Sequence, residues 1–256
     1  MAVLGRLYEW FLEYVSTYYT KDPVVMHGVS IKEIHSQRVA AIAARLARHL
    51  RLTERQKIIA EVIGLFHDIS RFRQITEYRT FIDSASFDHG DAGAQELAKL
   101  GILSDFSPAE VDIINFAIIN HNKMLIGPAS PEHLLFAKII RDADKLDIFR
   151  ILPPVQADHE YSPKLINQSK QGSLLSYTDV LTAADKRLIR LSWFYDINFD
   201  WTLNQLVSEG HLKHQLEALP DTEDCTSIKA VMANYVRKRI GTTGKTSTTR
   251  ANHNVR

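Results

Sequence analysis

Histidine and aspartate side chains stand inside apolar helical segments of this 256-residue chain, where an unpaired polar atom is costly to bury. His67 and Asp68 are the clearest case, because they end the apolar stretch 59–66 side by side. Neighbours on a helix point about 100° apart, so the two can share one ion only if that ion lies over the seam between them. Such an arrangement is more typical of a metal site than of an ordinary ion pair.

Three other histidines are also predicted to face the core. His35 continues the apolar stripe of its helix, and His121 ends a helix in line with apolar residues three and four positions earlier. His89 stands directly before a helix start rich in small residues, where backbones can pack closely. A lone histidine on an apolar face is more often a satisfied core residue than a ligand. Joint burial of several such residues is hard to satisfy in pairs, so the set favours a metal.

The segment "HLLFAKIIRDADKLDIF" separates acidic side chains that are close in sequence. At about 100° per residue, Asp142 falls on a polar arc with Arg141 and Lys145, and we predict that it is solvated. Asp144 falls on the other side, among apolar residues, where its lone pairs need a partner. Asp147, one turn further on, also faces the apolar side and is predicted to accept a hydrogen bond behind the ligands.

Composition limits the kind of site and the kind of partner. A single cysteine, Cys225, excludes a disulfide framework and thiolate metal sites, so imidazole and carboxylate must supply the ligands. The net charge of +1 gives no global basic field of the kind that binds nucleic acid. No apolar run reaches the roughly 20 residues of a spanning helix, and the first residues lack the pattern of a signal peptide. We therefore expect a cytoplasmic protein with neither a nucleic-acid nor a membrane partner.

The elements that must position these side chains are predicted to be helices. Strand signals are scarce, whereas helix starts are frequent. Capping boxes are predicted at Ser30 and Thr53, and a proline at the first helical position marks the starts after Ser107 and Ser130. We therefore predict an all-α fold.

One helical domain is expected to span residues 1–240, with a core of about 30–150 and a helical extension of about 174–240. Residues 150–173 lie between the two and carry prolines and polar side chains, which predict a long loop or short helices. Residues 241–256 lack apolar side chains almost entirely, and we predict a disordered tail there.

The order of His35, the His67-Asp68 doublet and the Asp144 of "ADKLD" resembles the HD superfamily of metal-dependent phosphohydrolases. The resemblance covers roughly residues 30–150, and the flanking "LFHDISRF" and "DADKLDIF" make it specific. It implies an HD-type helical bundle in which the Asp before Lys is the last ligand, in agreement with the helical wheel. His89 and His121 match the order of the binuclear branch, whose doublet Asp bridges two ions.

The resemblance implies hydrolysis of a phosphoester or phosphoanhydride, in a nucleotide or another small phosphorylated metabolite, by a metal-activated water. One or two divalent transition-metal ions are expected, and nitrogen and oxygen ligands suit Fe, Mn, Co, Ni or Zn. The expected metal ligands are His35, His67, Asp68, His89, His121 and Asp144. The residues expected to take part in catalysis are Asp68, Lys145 and Arg71. The residues expected to bind substrate phosphate are Arg73, Lys123 and Arg38.

Two other functions fit the same ligand set. The histidines and aspartates resemble those of HD-type di-iron oxygenases, which hold a mixed-valence iron pair. A nucleotide-binding HD module without turnover is the third hypothesis, and the complete ligand set argues against it. No GYP signature follows the second metal region, which argues against cyclic di-GMP as the substrate.

Overall fold

Helices form the regular structure of the computed structural model, which describes residues 2–243 and contains no β-strand among them. The predicted all-α fold is confirmed. The chain folds into two compact units, of which the first ends at Ile148 and the second begins at Phe149. None of the helices in this described part combines the length and the hydropathy that crossing a membrane requires.

The first unit contains the helices that carry all the predicted ligands. They are α1 (Ala2–Ser16), α2 (Pro23–His49), α3 (Glu54–Phe66), α4 (Arg71–Tyr78), α5 (His89–Leu100), α6 (Pro108–Asn120) and α7 (Pro131–Ile151), within which the unit ends. A short 3-10 turn, Asp83–Ala85, lies between α4 and α5.

The second unit continues with shorter helices and one long one. They are α8 (Pro163–Ser169), α9 (Asp185–Ser192), α10 (Asp200–Ser208), α11 (His211–Glu217) and α12 (Glu223–Thr243). The loop or short helices predicted over 150–173 are confirmed, since α7 ends at Ile151 and α8 is a short helix within that range. The tail predicted from 241 begins inside α12, so residues 241–243 are helical, and the rest of the tail lies outside the described residues. A single domain over 1–240 stays a prediction.

Local signals set most of the helix starts. Thr53 and Ser107 form the capping boxes that begin α3 and α6, and α7 begins directly after Ser130. The start predicted at Ser30 is wrong, because Ser30 lies inside α2. The helix begins seven residues earlier, where Asp22 accepts hydrogen bonds from two backbone amides and proline occupies the first position. An aspartate cap followed by proline is a stronger start than a serine with glutamate three residues later.

Aromatic packing supports the C-terminal end of α3. Phe11 of α1 lies edge-to-face against Phe66 at 6.1 Å between ring centroids and against Phe72 at 5.9 Å. All three rings are fully buried. Phe66 is the last residue of α3, so its contact with Phe11 fixes the position of His67 and Asp68, which follow directly.

A glycine allows α2 and α3 to approach each other closely. A Cβ added at Gly64 would lie 2.6 Å from the α-carbon of Ala40 and 2.9 Å from its nitrogen, distances that a side chain cannot occupy. The carbonyl of Gly64 also lies 2.8 Å from Nδ1 of His67. Because His35 lies on α2 and His67 follows α3, this crossing sets the separation of the two imidazoles.

We expect Gly64→Ala to lower the free energy of unfolding by about 1–3 kcal/mol, because the added methyl group pushes α3 away from the α2 backbone. Urea denaturation monitored by circular dichroism measures the change. Gly5→Ala is the matched control, since a Cβ at Gly5 meets nothing within 4 Å and alanine is the better helix former by up to about 1 kcal/mol. Equal stability of Gly64→Ala and wild type would contradict the close-contact role.

Candidate metal centre

The six predicted ligands come together in the first unit. His35 lies within α2, His67 and Asp68 follow α3, His89 opens α5, His121 follows α6 and Asp144 lies within α7. The four histidines and Asp68 are buried, and the side chain of Asp144 is 15% exposed. Five helices therefore contribute polar atoms to one place in an apolar bundle.

The first group of ligand atoms surrounds Asp144. Its Oδ1 lies 3.0 Å from Nε2 of His35 and 3.6 Å from Nε2 of His67. Oδ2 of Asp68 lies 3.6 Å and 3.5 Å from the same two nitrogens. One ligand atom each of His35, His67 and Asp144 lie within 4.8 Å of one another, a spacing that can hold a metal ion.

The second group lies on the other side of Asp68. Oδ1 of Asp68 is 3.5 Å from Nε2 of His89 and 3.7 Å from Nε2 of His121, and these two nitrogens are 2.9 Å apart. Asp68, His121 and His67 also have ligand atoms within 4.8 Å of one another. The two oxygens of Asp68 therefore face two different sets of imidazoles.

Hydrogen bonds at Nδ1 orient two of the imidazoles. Nδ1 of His67 lies 2.8 Å from the carbonyl of Gly64, and Nδ1 of His121 lies 2.6 Å from the carbonyl of Ile118. A carbonyl oxygen only accepts, so Nδ1 carries the proton in both rings and Nε2 of the neutral ring presents a lone pair.

Carboxylates orient the other two imidazoles. Nδ1 of His35 donates to the fully buried Asp147 at 2.7 Å, which is the role predicted for Asp147. Nδ1 of His89 donates to Asp83 at 2.5 Å. Acceptors of this kind behind a histidine fix its ring and increase its basicity toward a metal.

The donor set fits a metal ion. Nε2 of His35 and Nε2 of His67 are buried and have no hydrogen-bond partner within residues 2–243, although carboxylate oxygens lie around them. Lone pairs of nitrogen and oxygen that face one another without a proton or cation between them are unfavourable. A divalent transition metal would satisfy both kinds of donor.

Protonation also suits ligation. Burial lowers the pKa of His67 and lowers that of His89 to about 4, so both rings are neutral at pH 7. Burial by itself raises the pKa of Asp68, but Lys32 and His67 outweigh it and hold that pKa well below its usual value. Burial lowers the pKa of His35, whereas the neighbouring carboxylates of Asp144 and Asp147 outweigh this effect and raise it. A proton therefore competes with a metal at His35 in acid.

The structure places one of the predicted cations at this centre. Nε of Arg71 lies 3.5 Å from Oδ1 of Asp68, and Nη2 lies 3.2 Å from Nε2 of His89. Nη1 donates to the backbone carbonyl of Phe81 at 2.7 Å and to Asp83 at 2.9 Å. Arg71 therefore connects Asp68 and His89 to the loop that follows α4.

Two more predicted cations pair with acids that are not among the six ligands. Arg73 lies 3.7 Å from Glu96 and stacks on the ring of Phe87 at 4.3 Å. Lys123 donates to Asp88 at 2.6 Å, at the start of α5.

The other two predicted cations lie next to acidic residues of α7. Arg38 pairs with Asp147 at 2.7 Å, and Lys145 is half-buried beside Asp144 in sequence. Substrate binding by Arg38, Arg73 and Lys123 and catalysis by Lys145 stay predictions.

The prediction that Asp142 is solvated is wrong. Asp142 is fully buried, and Arg141 on the same predicted polar arc is buried as well. Nη1 of Arg141 donates to the carbonyls of Asn120 at 3.0 Å and Lys123 at 2.5 Å. Backbone carbonyl oxygens at the end of α6 and in the segment after it cover this arc of α7. A helical wheel drawn for α7 alone cannot show such a contact with another part of the chain.

Sequence reasoning missed Lys32 and Asp83. Nζ of Lys32 lies 2.6 Å from Oδ2 of Asp68, and its side chain is only 16% exposed. Lys32 precedes His35 by three residues, so the helical period that selected His35 could also have selected Lys32. Asp83 lies in the 3-10 turn after α4, where no periodicity exists to direct it toward His89.

Residues 33–148 match the family model of the HD domain, and this range contains all six predicted ligands together with Asp83 and Asp147. Searches of curated proteins and of solved structures found no match to the chain. The matched range ends where the first compact unit ends. The part of the chain that holds the candidate metal centre is therefore similar to the HD domain.

Proposed function

We propose that the chain is a metal-dependent phosphohydrolase that cleaves a phosphoester or phosphoanhydride of a nucleotide or another small phosphorylated metabolite. The observation that carries this proposal is the position of Asp68, whose two oxygens face two separate groups of imidazoles. The match of residues 33–148 to the HD domain supports it, because HD domains are typically hydrolases that bind divalent metals.

Two ions would be held around Asp68. The first would bind His35, His67, Asp68 and Asp144, and the second would bind Asp68, His89 and His121. A pair of divalent ions, when bound, polarises phosphoryl oxygens and lowers the pKa of a bound water to about 7. Nitrogen and oxygen donors suit Fe, Mn, Co, Ni or Zn.

The residues around the ligands determine what the site does with a substrate. Asp83 and Asp147 keep the imidazoles in the tautomer that presents Nε2, so no reorientation is needed when the ligands bind. Arg71 places its guanidinium beside Asp68 and His89, where it stabilises negative charge that develops on a phosphoryl oxygen. Lys145 follows Asp144 on α7 and is proposed to contact the same phosphate.

Elemental analysis of protein purified without added metal tests the metal centre, and we expect two divalent transition-metal ions per chain. A panel of phosphatase and phosphodiesterase substrates tests the reaction. Phosphate release is expected to stop after chelation and to return when the metal is added back. A metal-free protein that cannot be loaded would rule the proposal out, and oxygen consumption with two irons but no phosphate release would favour the oxygenase.

We expect His67→Ala and Asp68→Ala to reduce turnover to the background rate while the far-ultraviolet circular dichroism stays close to wild type. Each change removes a donor that the proposed ions require. His133→Ala is the matched control, because His133 pairs with the exposed Asp112 at 3.0 Å and lies outside the ligand groups. Wild-type turnover in either ligand variant would show that the ligand assignment is wrong.

Asp83→Ala is expected to weaken binding of the second ion by about 10–100-fold and to leave the first ion in place, because His89 is the one proposed ligand that Asp83 contacts within residues 2–243. Titration of metal-free protein, followed by counting bound ions, should show a fall from two ions per chain to one at limiting metal.

Asp91→Ala serves as the control for this loss, since Asp91 is half exposed and pairs with Lys123 at the same helix start. Equal weakening of both ions in Asp83→Ala would mean that Asp83 supports the whole centre rather than the second ion.

A further inference from the structure

Lys32 is a partly buried cation to which neither the family pattern nor the ligand set gives a role. It precedes His35 by one turn of α2, and its Nζ lies 2.6 Å from Oδ2 of Asp68. Its side chain is 16% exposed. Oδ2 of Asp68 is the only hydrogen-bond acceptor that Nζ has in the part of the chain the structure describes. An ammonium group has three donors, so two remain for a ligand.

An aromatic ring fixes where this ammonium group lies. Nζ of Lys32 is 5.3 Å from the centroid of the Phe81 ring, and Cζ of Arg71 is 5.7 Å from the same centroid. A cation over a ring face is attracted by the ring quadrupole, which holds the flexible lysine stem in one place. Lys32 and Arg71 therefore reach Asp68 from the side on which Phe81 lies, one at each carboxylate oxygen.

The two cations differ in how fully they are engaged. Nη1 of Arg71 donates to Gln74, to the carbonyl of Phe81 and to Asp83, so this end of the guanidinium connects loop and helix. The ammonium of Lys32 has no comparable set of acceptors among residues 2–243. Arg71 already brings a positive charge to within 3.5 Å of Oδ1 of Asp68, so a second, partly buried cation at Oδ2 needs a separate reason.

The position of Lys32 beside the first group of ligands supplies that reason. Oδ2 of Asp68 is the oxygen that faces His35 and His67, so Lys32 lies beside the first group of ligands. A phosphoryl group that approaches an ion in this group brings its oxygens to the neighbourhood of Asp68 Oδ2. A compact ammonium with unengaged donors suits such a group as a point charge.

We propose that Lys32 is a substrate-binding residue that donates to a phosphoryl oxygen on the side of His35, His67 and Asp144. This inference rests on the proposed function and adds a residue that contacts the substrate. Phe81 positions the ammonium, and Asp68 holds one of its three N–H bonds. Lys32 thus provides positive charge that does not depend on which divalent metal is bound.

Isothermal titration of Mn²⁺-loaded protein with inorganic phosphate tests the role of Lys32 apart from turnover. We expect Lys32→Met to raise the dissociation constant for phosphate by about 10–100-fold, the value of a charge-assisted hydrogen bond. The number of bound Mn²⁺ ions is expected to stay at the wild-type value. Lys32→Arg, which keeps the charge, should recover part of the affinity, and KM should rise more than kcat falls.

Lys57→Met is the matched control, because it removes a lysine on α3 that pairs with Glu54 at 2.7 Å. It should bind phosphate as wild type does. Unchanged phosphate affinity in Lys32→Met would overturn the inference. Loss of Mn²⁺ together with phosphate would also overturn it, because Lys32 would then support the metal ligands rather than bind the substrate. Wild-type protein that takes up no Mn²⁺ would overturn the proposed function itself, a result that the metal count separates from the other two.

Discussion

The buried carboxylate of Asp68 is the constraint on which the rest of the centre depends. A carboxylate without compensation costs several kcal/mol in a low-dielectric interior, so every element that reaches it must bring a nitrogen. Its Oδ2 meets Lys32 and two imidazoles, and its Oδ1 meets Arg71 and two others. α2, α5 and the end of α6 each bring a nitrogen to this one charge at the end of α3. In the proposed centre, Asp68 would therefore be shared by the two ions.

Helix ends explain how the imidazoles are oriented. His67 and His121 follow the last residues of α3 and α6, and each Nδ1 donates to the carbonyl three residues earlier. Carbonyls of a last helical turn lack amide partners within the helix, so termination itself supplies the acceptor. His35 lies inside a helix and His89 opens one, so neither position offers a free carbonyl of this kind. Instead, Nδ1 of each of these two rings donates to a carboxylate from another part of the chain.

Sequence reasoning found the elements and ligands whose signals are local. Helical periodicity and flanking residues identified Asp144 and the all-α fold. The capping box at Thr53 and the proline after Ser107 marked two helix starts. The error at Asp142 arose because a wheel treats a polar arc as a solvent face, whereas another segment covers this one. Lys32 was overlooked because a lysine on a helix is usually read as exposed, and Asp83 because a turn carries no period. What the sequence could not provide was the contact made between elements.

The hydrogen bond between His35 and Asp147 joins residues that are 112 positions apart in the chain. Closing so long a loop has an entropic cost, which the contacts of the assembled bundle offset. The centre is consequently absent from a nascent polypeptide until α7 has left the ribosome. The two earliest elements of the centre, α2 and α3, are synthesised while more than half of the unit is still missing. The partners that α5, α6 and α7 supply to the centre are therefore not yet present. The proposed centre could therefore hold a metal with all of its ligands only after translation of the whole first unit.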